Sequence, residues 1–405
     1  MLTDIATATL DFGFNAAAAD HLLAAAADMA PLLRAHSAEA EGSRSFPAPV
    51  RDALETSGLW NMLLPRRCGG FGMSSTGFAH VIRELAKGDP SVGWVVQVIN
   101  NASWAAALMP DTVQEALFAN GPKRVCGGVA PAGTAHKVTG GYRVSGAWPY
   151  SSGTRYAQWV QGTVLIEDEG ASVVHMVYMD KTQVDVADSW DVTGLQGTGS
   201  DTNVATDVFV PSERVVPIDR MFSGAQADRK HGGEASDYLS VYQLTRATLV
   251  AQIVGAAHAQ AQIVIEGAAR RGVAMTSYTK QMDSPVAQHQ IGEAMAKIDA
   301  AWLLVLENCN EIDRLALLRS PMSPADAARN RARIGLAVEL CLQASDRLMS
   351  IAGSSAFSSS NLAQRYWRDI NLAARHGGHL PHVAFEVYGR DLLGITPNIV
   401  PQKNF

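Results

Sequence analysis

The chain changes texture twice, and that succession limits its fold more than any single motif. From about Ala16 to Asn120 the pattern is helical. HLLAAAADMAPLLRAHSAEA is rich in Ala and Leu with no β-branched run, and FPAPVRDALETSGLW sets a proline before the next apolar-periodic segment. PRRCGGFG (65–72) reads as a Gly-rich connection, and STGFAHVIRELAKGDPSVGWVVQVINNASWAAALMPD as two helices parted at Gly88-Asp89-Pro90. From about Val125 to Pro217 short β-prone runs take over. KVTGGYRVSGAW signals a hairpin around Gly140-Gly141, while VVHMVYM and NVATDVFVP alternate around β-branched and aromatic residues. From about Tyr238 long helical periods return, at 241–271, 284–319, 323–353 and 361–376. Helix, sheet and helix in series predict an α+β chain, a central sheet domain between helical domains, with expected bounds 1–124, 125–230 and 231–405.

Several classes drop out. The formal charge of −6 comes with no Lys/Arg run, so no nucleic acid partner is expected. The stretch Ala247–Ala269 is apolar but broken by Gln252, His258, Gln260 and Gln262, which suits a buried helix and not a membrane span. MLTDIATATLDFGF lacks a basic region followed by an apolar run, so no signal peptide is read. Four cysteines without CxxC fit reduced thiols, and a soluble cytoplasmic protein without membrane contact is expected. No GxGxxG after a strand, P-loop, GxSxG or HExxH occurs. His376, His379 and His382 are linked by Gly-Gly and Leu-Pro, which do not hold three imidazoles on one face, so no metal site is expected.

The most informative local stretch is GAWPYSSGTRYAQWV (146–160). A strand-like segment delivers Trp148, Tyr150, Ser151 and Ser152 into a Gly turn, placing hydroxyl donors beside flat aromatic surface. That combination suits a planar heteroaromatic ring; an ordinary serine-capped turn has the same composition. Thr198-Gly199-Ser200 repeats the theme.

The order LLPRRCGGFG, ELAKGDPSVGW, GAWPYSSG, WDVTGLQGTGSDTNVATDVFVP resembles the acyl-CoA dehydrogenase superfamily across about residues 20–395. RYWRDINLAARH more closely resembles its flavin-dependent monooxygenase branch, the oxygenase components of two-component systems. The resemblance implies N-terminal helices, a β-barrel-like central domain, a C-terminal four-helix bundle and a homotetramer, with flavin between sheet and bundle. It implies Trp94 by the flavin, and Gly127, Gly128, Val129, Tyr150, Ser151 and Ser152 along the isoalloxazine, with one serine near N5. Arg270 or Arg271 is implied at the flavin phosphate, with Gly353, Ser354 and Ser355 of AGSSA offering amides and hydroxyls.

In the dehydrogenase branch a carboxylate abstracts the substrate's α-proton; here no Glu or Asp stands between Asp369 and Glu386. In the monooxygenase branch a histidine matching His376 faces the flavin C4a region, as a base or orienting group. A Gly377-Gly378 stop suggests a helix C-terminus there, whose dipole would raise the imidazole's pKa, and Arg368–Asp369 reads as an ion pair tying the helix into the bundle. Ala102 stands where several phenol hydroxylases of the branch carry a histidine, leaving Asn101 and Asn371 as hydrogen-bonding candidates for substrate. The implied function is an oxygenase component that takes diffusible reduced FMN or FAD from a flavin reductase, forms a C4a-hydroperoxide with O2, and oxygenates a small aromatic or heteroaromatic substrate. The alternative is an FAD-dependent dehydrogenase-like desaturase.

Overall fold

The computed structural model describes residues 13–168, 171–222, 233–396 and Ile399. The expected boundary at 230/231 and most of the segment read for a signal peptide lie outside the described residues. Five helices open the chain: α1 (Ala16–Ser43), α2 (Ala48–Ser57), α3 (Ser75–Gly88), α4 (Pro90–Ala106) and α5 (Asp111–Phe118). The break expected at Gly88-Asp89-Pro90 is a shared cap. Asp89 ends α3 in extended conformation, then its carboxylate accepts from Ser91 N (2.7 Å) and Val92 N (3.3 Å), with Pro90 at the first helical position.

Eight strands follow: β1 (Val125–Gly127), β2 (Gly133–Val138), β3 (Gly141–Trp148), β4 (Trp159–Asp168), β5 (Ala171–Asp180), β6 (Asp185–Ala187), β7 (Thr202–Pro211) and β8 (Val215–Pro217). The expected barrel-like domain is one mixed sheet in the order β6-β7-β3-β2-β4-β5-β8, with β1 parallel to β4. β2 and β3 form the hairpin read from KVTGGYRV, turning at Gly140 with φ +80°.

After the short α6 (Asp219–Phe222), α7 (Val241–Ala268), α8 (Pro285–Leu317), α9 (Pro324–Ala352) and α10 (Leu362–Ala373) pack around a common apolar core. Among the described helices α7 alone is long and apolar enough to cross a membrane, yet most of it is buried inside the fold. Two of its glutamines tie it to its neighbours: Gln252 donates to Pro90 O (3.0 Å) and Gln260 accepts from Ser345 Oγ (2.6 Å). A further helix, α11 (Pro381–Leu392), lies along α9, with Gly335 giving room to Pro381 and Ala384. This helix goes beyond the segments read from the sequence, and Pro381 occupies a first-turn position. All four cysteines are free and buried.

Candidate active site

α4 carries Trp94 one turn past its cap, and that indole organises a line of hydroxyls. Trp94 Nε1 donates to Ser152 Oγ (3.0 Å), Ser152 Oγ meets Ser200 Oγ (2.7 Å), Ser200 Oγ meets Thr198 Oγ1 (2.8 Å), and Thr198 Oγ1 donates to Leu195 O (2.8 Å). Both ends are fixed, since an indole N–H only donates and a carbonyl only accepts. The hydrogen bonds therefore all run from Trp94 towards Leu195, and such a chain polarises its members cooperatively.

The turn after β3 places Ser152. Tyr150 adopts φ +57° and stands 71% exposed, its ring edge-on to Trp190 at 5.4 Å. Gly153 has φ +84°, and a Cβ there would lie 2.7 Å from the Ile99 side chain of α4, so only glycine lets the turn approach the helix. Ser151 is buried and spent on structure: its hydroxyl donates to Trp148 O (2.8 Å) and its N–H to Asp201 O (3.0 Å). Asp201 also accepts from Ser189 N (3.1 Å) and Trp190 N (3.0 Å), and its carboxylate pairs with Arg155 (2.6 Å). Burial pushes its pKa up, but Arg155 and the two amides outweigh burial and hold it below the usual carboxylate value.

Trp148 does not belong to an exposed aromatic surface. It is 1% exposed, donates from Nε1 to Thr163 O (3.1 Å), and fills a hole opened by Gly133, Gly146 and Gly162, each of whose Cβ atoms would lie 2.7–2.8 Å from its ring. Gly127 in β1 has φ +124° and no space for a Cβ beside Gln161 O, Gly128 O accepts from Thr163 Oγ1 (3.0 Å), and Val129 is 47% exposed.

α10 brings the other half of the site. Arg368 and Asp369 do not pair with each other. Arg368 bonds Thr193 O (2.5 Å) and Glu41 of α1 (2.6 Å), while the buried Asp369 accepts from Leu195 N (2.5 Å). Gly194 passes so close beneath Arg368 O that a Cβ would clash. α10 thus clamps the loop that leads into Thr198 and Ser200. Burial, opposed by the Leu195 N–H bond, pushes the Asp369 pKa up to about 8.

His376 follows three residues after the last residue of α10. Its ring meets Trp94 edge to face, centroids 5.5 Å apart, and His379 at the same distance. Its edge reaches solvent, yet the protein atoms around it still desolvate it, and this lowers its pKa. The expected upward shift from the helix terminus is overturned: removal of solvent dominates. Gly378 N donates to His376 Nδ1 (3.1 Å), which leaves Nε2 carrying the proton of the neutral ring. His379 is 1% exposed, bonds Ala373 O through Nε2 (2.8 Å), and has its pKa pushed down to about 3 by burial, with His376 and Arg246 adding to it.

Asn101 is tied to Gln97 O (3.0 Å) and Thr245 Oγ1 (3.1 Å), Ala102 is buried, and Asn371 is engaged within its own helix by Trp367 O (2.9 Å) and Arg375 (3.0 Å). Arg271 donates to Ala352 O (3.3 Å), beside Gly353 (φ +71°) and the exposed Ser354 and Ser355, whereas Arg270 stands exposed at the end of α7. This cluster does not adjoin Ser152 in the same chain. Gln252 contacts the start of α4, and α7 runs on to Ala268, about 24 Å further at 1.5 Å per residue. Among the described residues no group of three or more His, Cys, Asp or Glu side chains is arranged to hold a metal.

Residues 22–109 match the family described as acyl-CoA dehydrogenase, N-terminal domain, and residues 247–381 that described as acyl-CoA dehydrogenase, C-terminal domain. The flavin-dependent monooxygenase oxygenase subunit HsaA of Mycobacterium tuberculosis is 31% identical, over 94% of this chain and 97% of that protein. The chain belongs to the acyl-CoA dehydrogenase superfamily, in its flavin-dependent monooxygenase branch. The FADH2-dependent resorcinol hydroxylase oxygenase component of a Rhizobium species is 28% identical, over 93% of this chain and 95% of that protein. The structure of XiaF from a Streptomyces species, in complex with FADH2 and glycerol, superposes with a TM-score of 0.91 at 30% identity, covering 96% of this chain and 98% of that one.

For a flavoenzyme of this branch the residues suit a flavin ring: half-buried Ser152 on its hydroxyl line, and His376 against the Trp94 ring that heads that line. Sequence reasoning missed the loop clamp through Asp369 and the brace through Asp201, because both partners lie far along the chain. A buried acid beside a Ser-rich turn, as in GTGSD, was the available signal for Asp201.

Proposed function

We propose that the chain, organised as units 1–124, 125–230 and 231–405, is the oxygenase component of a two-component monooxygenase acting on a small aromatic or heteroaromatic substrate. A separate reductase supplies reduced FAD or FMN, and the bound reduced flavin supplies the electrons that activate O2. The observation that carries this reading is the pairing of the Trp94–Ser152–Ser200–Thr198 line with His376, where the desaturase alternative needs a carboxylate. Asp369 on α10 is buried and committed to Leu195 N, and Asp201, next to Ser200, is committed to Ser189 N, Trp190 N and Arg155. Relatives named as hydroxylases of phenols support an aromatic substrate.

Ser152 gives its single proton to Ser200 when the site stands alone. Concerted rotation, with Thr198 turning from Leu195 O to donate to Ser200 and Ser200 donating to Ser152, frees the Ser152 O–H for a ring nitrogen of the cofactor. His376, neutral and protonated at Nε2, presents an N–H that orients the substrate's oxygen. The Trp94 ring and the apolar face of α4 exclude water. Because Arg271 and AGSSA lie remote from Ser152 within one chain, the homotetramer we propose brings one copy's Arg271 cluster to the flavin of another. Exposed Leu303, Leu336, Leu392 and Leu393 supply apolar surface for that contact.

Equilibrium dialysis with FAD and FMN, under air and under dithionite, tests this reading. Reduced flavin is expected to bind at least tenfold more tightly than oxidised, as exchange with a reductase requires. Equally tight binding in both redox states contradicts it.

A further inference from the structure

The hydroxyl line ends on an acceptor with more donors than lone pairs. Among the described residues, Leu195 O accepts from Thr198 Oγ1 (2.8 Å), Thr198 N (3.1 Å) and the indole Nε1 of Trp190 (3.1 Å). A carbonyl oxygen offers two lone pairs, so the three donors share them. Two of the three cannot turn away, one being a backbone amide and the other fixed by its ring plane. The Thr198 hydroxyl rotates about its own bond.

The acceptor is held in place from behind. Leu195 is buried and adopts φ +48°, a left-handed conformation that a leucine keeps only under constraint. Its N–H donates to Asp369 Oδ1 (2.5 Å), which anchors the residue to α10. Trp190 is anchored as well: it is 5% exposed, its N–H donates to Asp201 (3.0 Å), and its ring lies edge-on to Tyr150. Leu195 O therefore keeps two donors when Thr198 leaves it.

Counting protons gives the consequence. Running away from the cofactor, Ser152, Ser200 and Thr198 each donate one bond, the last to Leu195 O. Running towards it, each again donates one, and the last goes from Ser152 to the flavin. The Trp94 N–H and the Ser200 O–H then fill both lone pairs of Ser152, which leaves its proton for the cofactor. The direction is set by which end accepts more strongly. A carbonyl already served by an indole N–H competes less well for Thr198.

We propose that Trp190 is a positioning residue for Ser152. Its N–H on Leu195 O releases Thr198, and this turns the Ser152 proton towards bound flavin. The assignment rests on the monooxygenase reading above and deepens it by naming what sets the direction of the line.

The test is a double-mutant cycle on the dissociation constants of reduced FMN and reduced FAD, measured by anaerobic equilibrium dialysis. Trp190→Phe keeps a ring and loses the N–H, and should weaken binding of the preferred flavin about fivefold, the scale of one net hydrogen bond. In a Thr198→Val background no hydroxyl competes for Leu195 O, and the same substitution should change binding by less than about twofold. A purely structural Trp190 predicts equal losses in both backgrounds. Equal losses overturn the proposal, as does unchanged binding in Trp190→Phe alone.

A second measurement leaves Trp190 intact. Labelling with carbonyl-13C leucine and 15N glutamine marks two peptide links, Leu195–Gln196 and Leu342–Gln343. When reduced flavin is added anaerobically, the Leu195 carbonyl resonance should shift further in the native protein than in Thr198→Val, because the Thr198 hydroxyl leaves it. No shift in the native protein, or an equal one in Thr198→Val, overturns the proposal whether or not Trp190→Phe folds. The native preference for reduced over oxidised flavin is read separately: it survives failure of this proposal, whereas failure of the monooxygenase reading removes it.

Discussion

The rings of Trp94 and His376 meet edge to face at 5.5 Å, joining the start of α4 to the end of α10 across the hydroxyl line. The contact brings a donor line on the sheet side within reach of an imidazole on the bundle side. The Asp369 and Arg368 clamp holds the loop between them.

His376→Ala should lower substrate oxygenation by about 10²-fold, the scale for losing an acid–base or orienting group, and divert reducing equivalents to H2O2. Because Gly378 N occupies Nδ1, the ring acts through its Nε2–H, and His376→Gln, with an amide N–H, should recover part of the coupling. A general base allows no such rescue. The ring's lowered pKa keeps it neutral, so coupling should hold as pH falls to about 6.5 and weaken only below it. The stability this histidine contributes is likewise present above that value and lost as pH falls. Product and peroxide measured together across pH 5–8, as an approximate window around that reference pKa, check both points.

The two serines separate cleanly. Ser152→Ala breaks the line between Trp94 and Ser200 and should raise peroxide yield several-fold with little change in stability. Ser151→Ala removes a buried bond to Trp148 O and should cost about 1 kcal/mol of stability while leaving coupling near native. Thermal melts and peroxide assays on both variants distinguish the roles; the reverse pattern would transfer the site to Ser151.

Most of the fold was legible because helical period and β-branched alternation are local properties. The site was legible where neighbours in sequence act together, as in Tyr150-Ser151-Ser152. Trp148 was misplaced because its hole is built by glycines on three strands, which no local pattern reveals. The Arg368–Asp369 pair could have been rejected outright: consecutive residues on a helix point away from one another. The direction of the His376 shift depended on the walls around it, and only tertiary structure supplies those.

Asp369 holds its proton in the folded state, with a pKa of about 8 against about 3.9 when unfolded. A raised acid destabilises progressively as pH climbs from the unfolded towards the folded value, by about 1.4 kcal/mol per unit at most. Asp369→Asn keeps an oxygen for Leu195 N and removes the titration. Its melting temperature should therefore gain on the native protein between roughly pH 4 and pH 8, and level off beyond. A constant difference across that range shows Asp369 to be ionised throughout.

The central claim is that this chain transfers one oxygen atom from O2 to an aromatic ring, using reduced flavin made elsewhere. Reduced flavin, prepared anaerobically without any reductase, is mixed with the protein and a panel of small phenols and heteroaromatics and then exposed to 18O2, with the products read by mass spectrometry. The account predicts a product carrying one 18O atom, in a yield that collapses in His376→Ala. An unlabelled or absent product, together with protein-bound FAD bleached by an acyl-CoA under nitrogen, would contradict it and establish a desaturase instead.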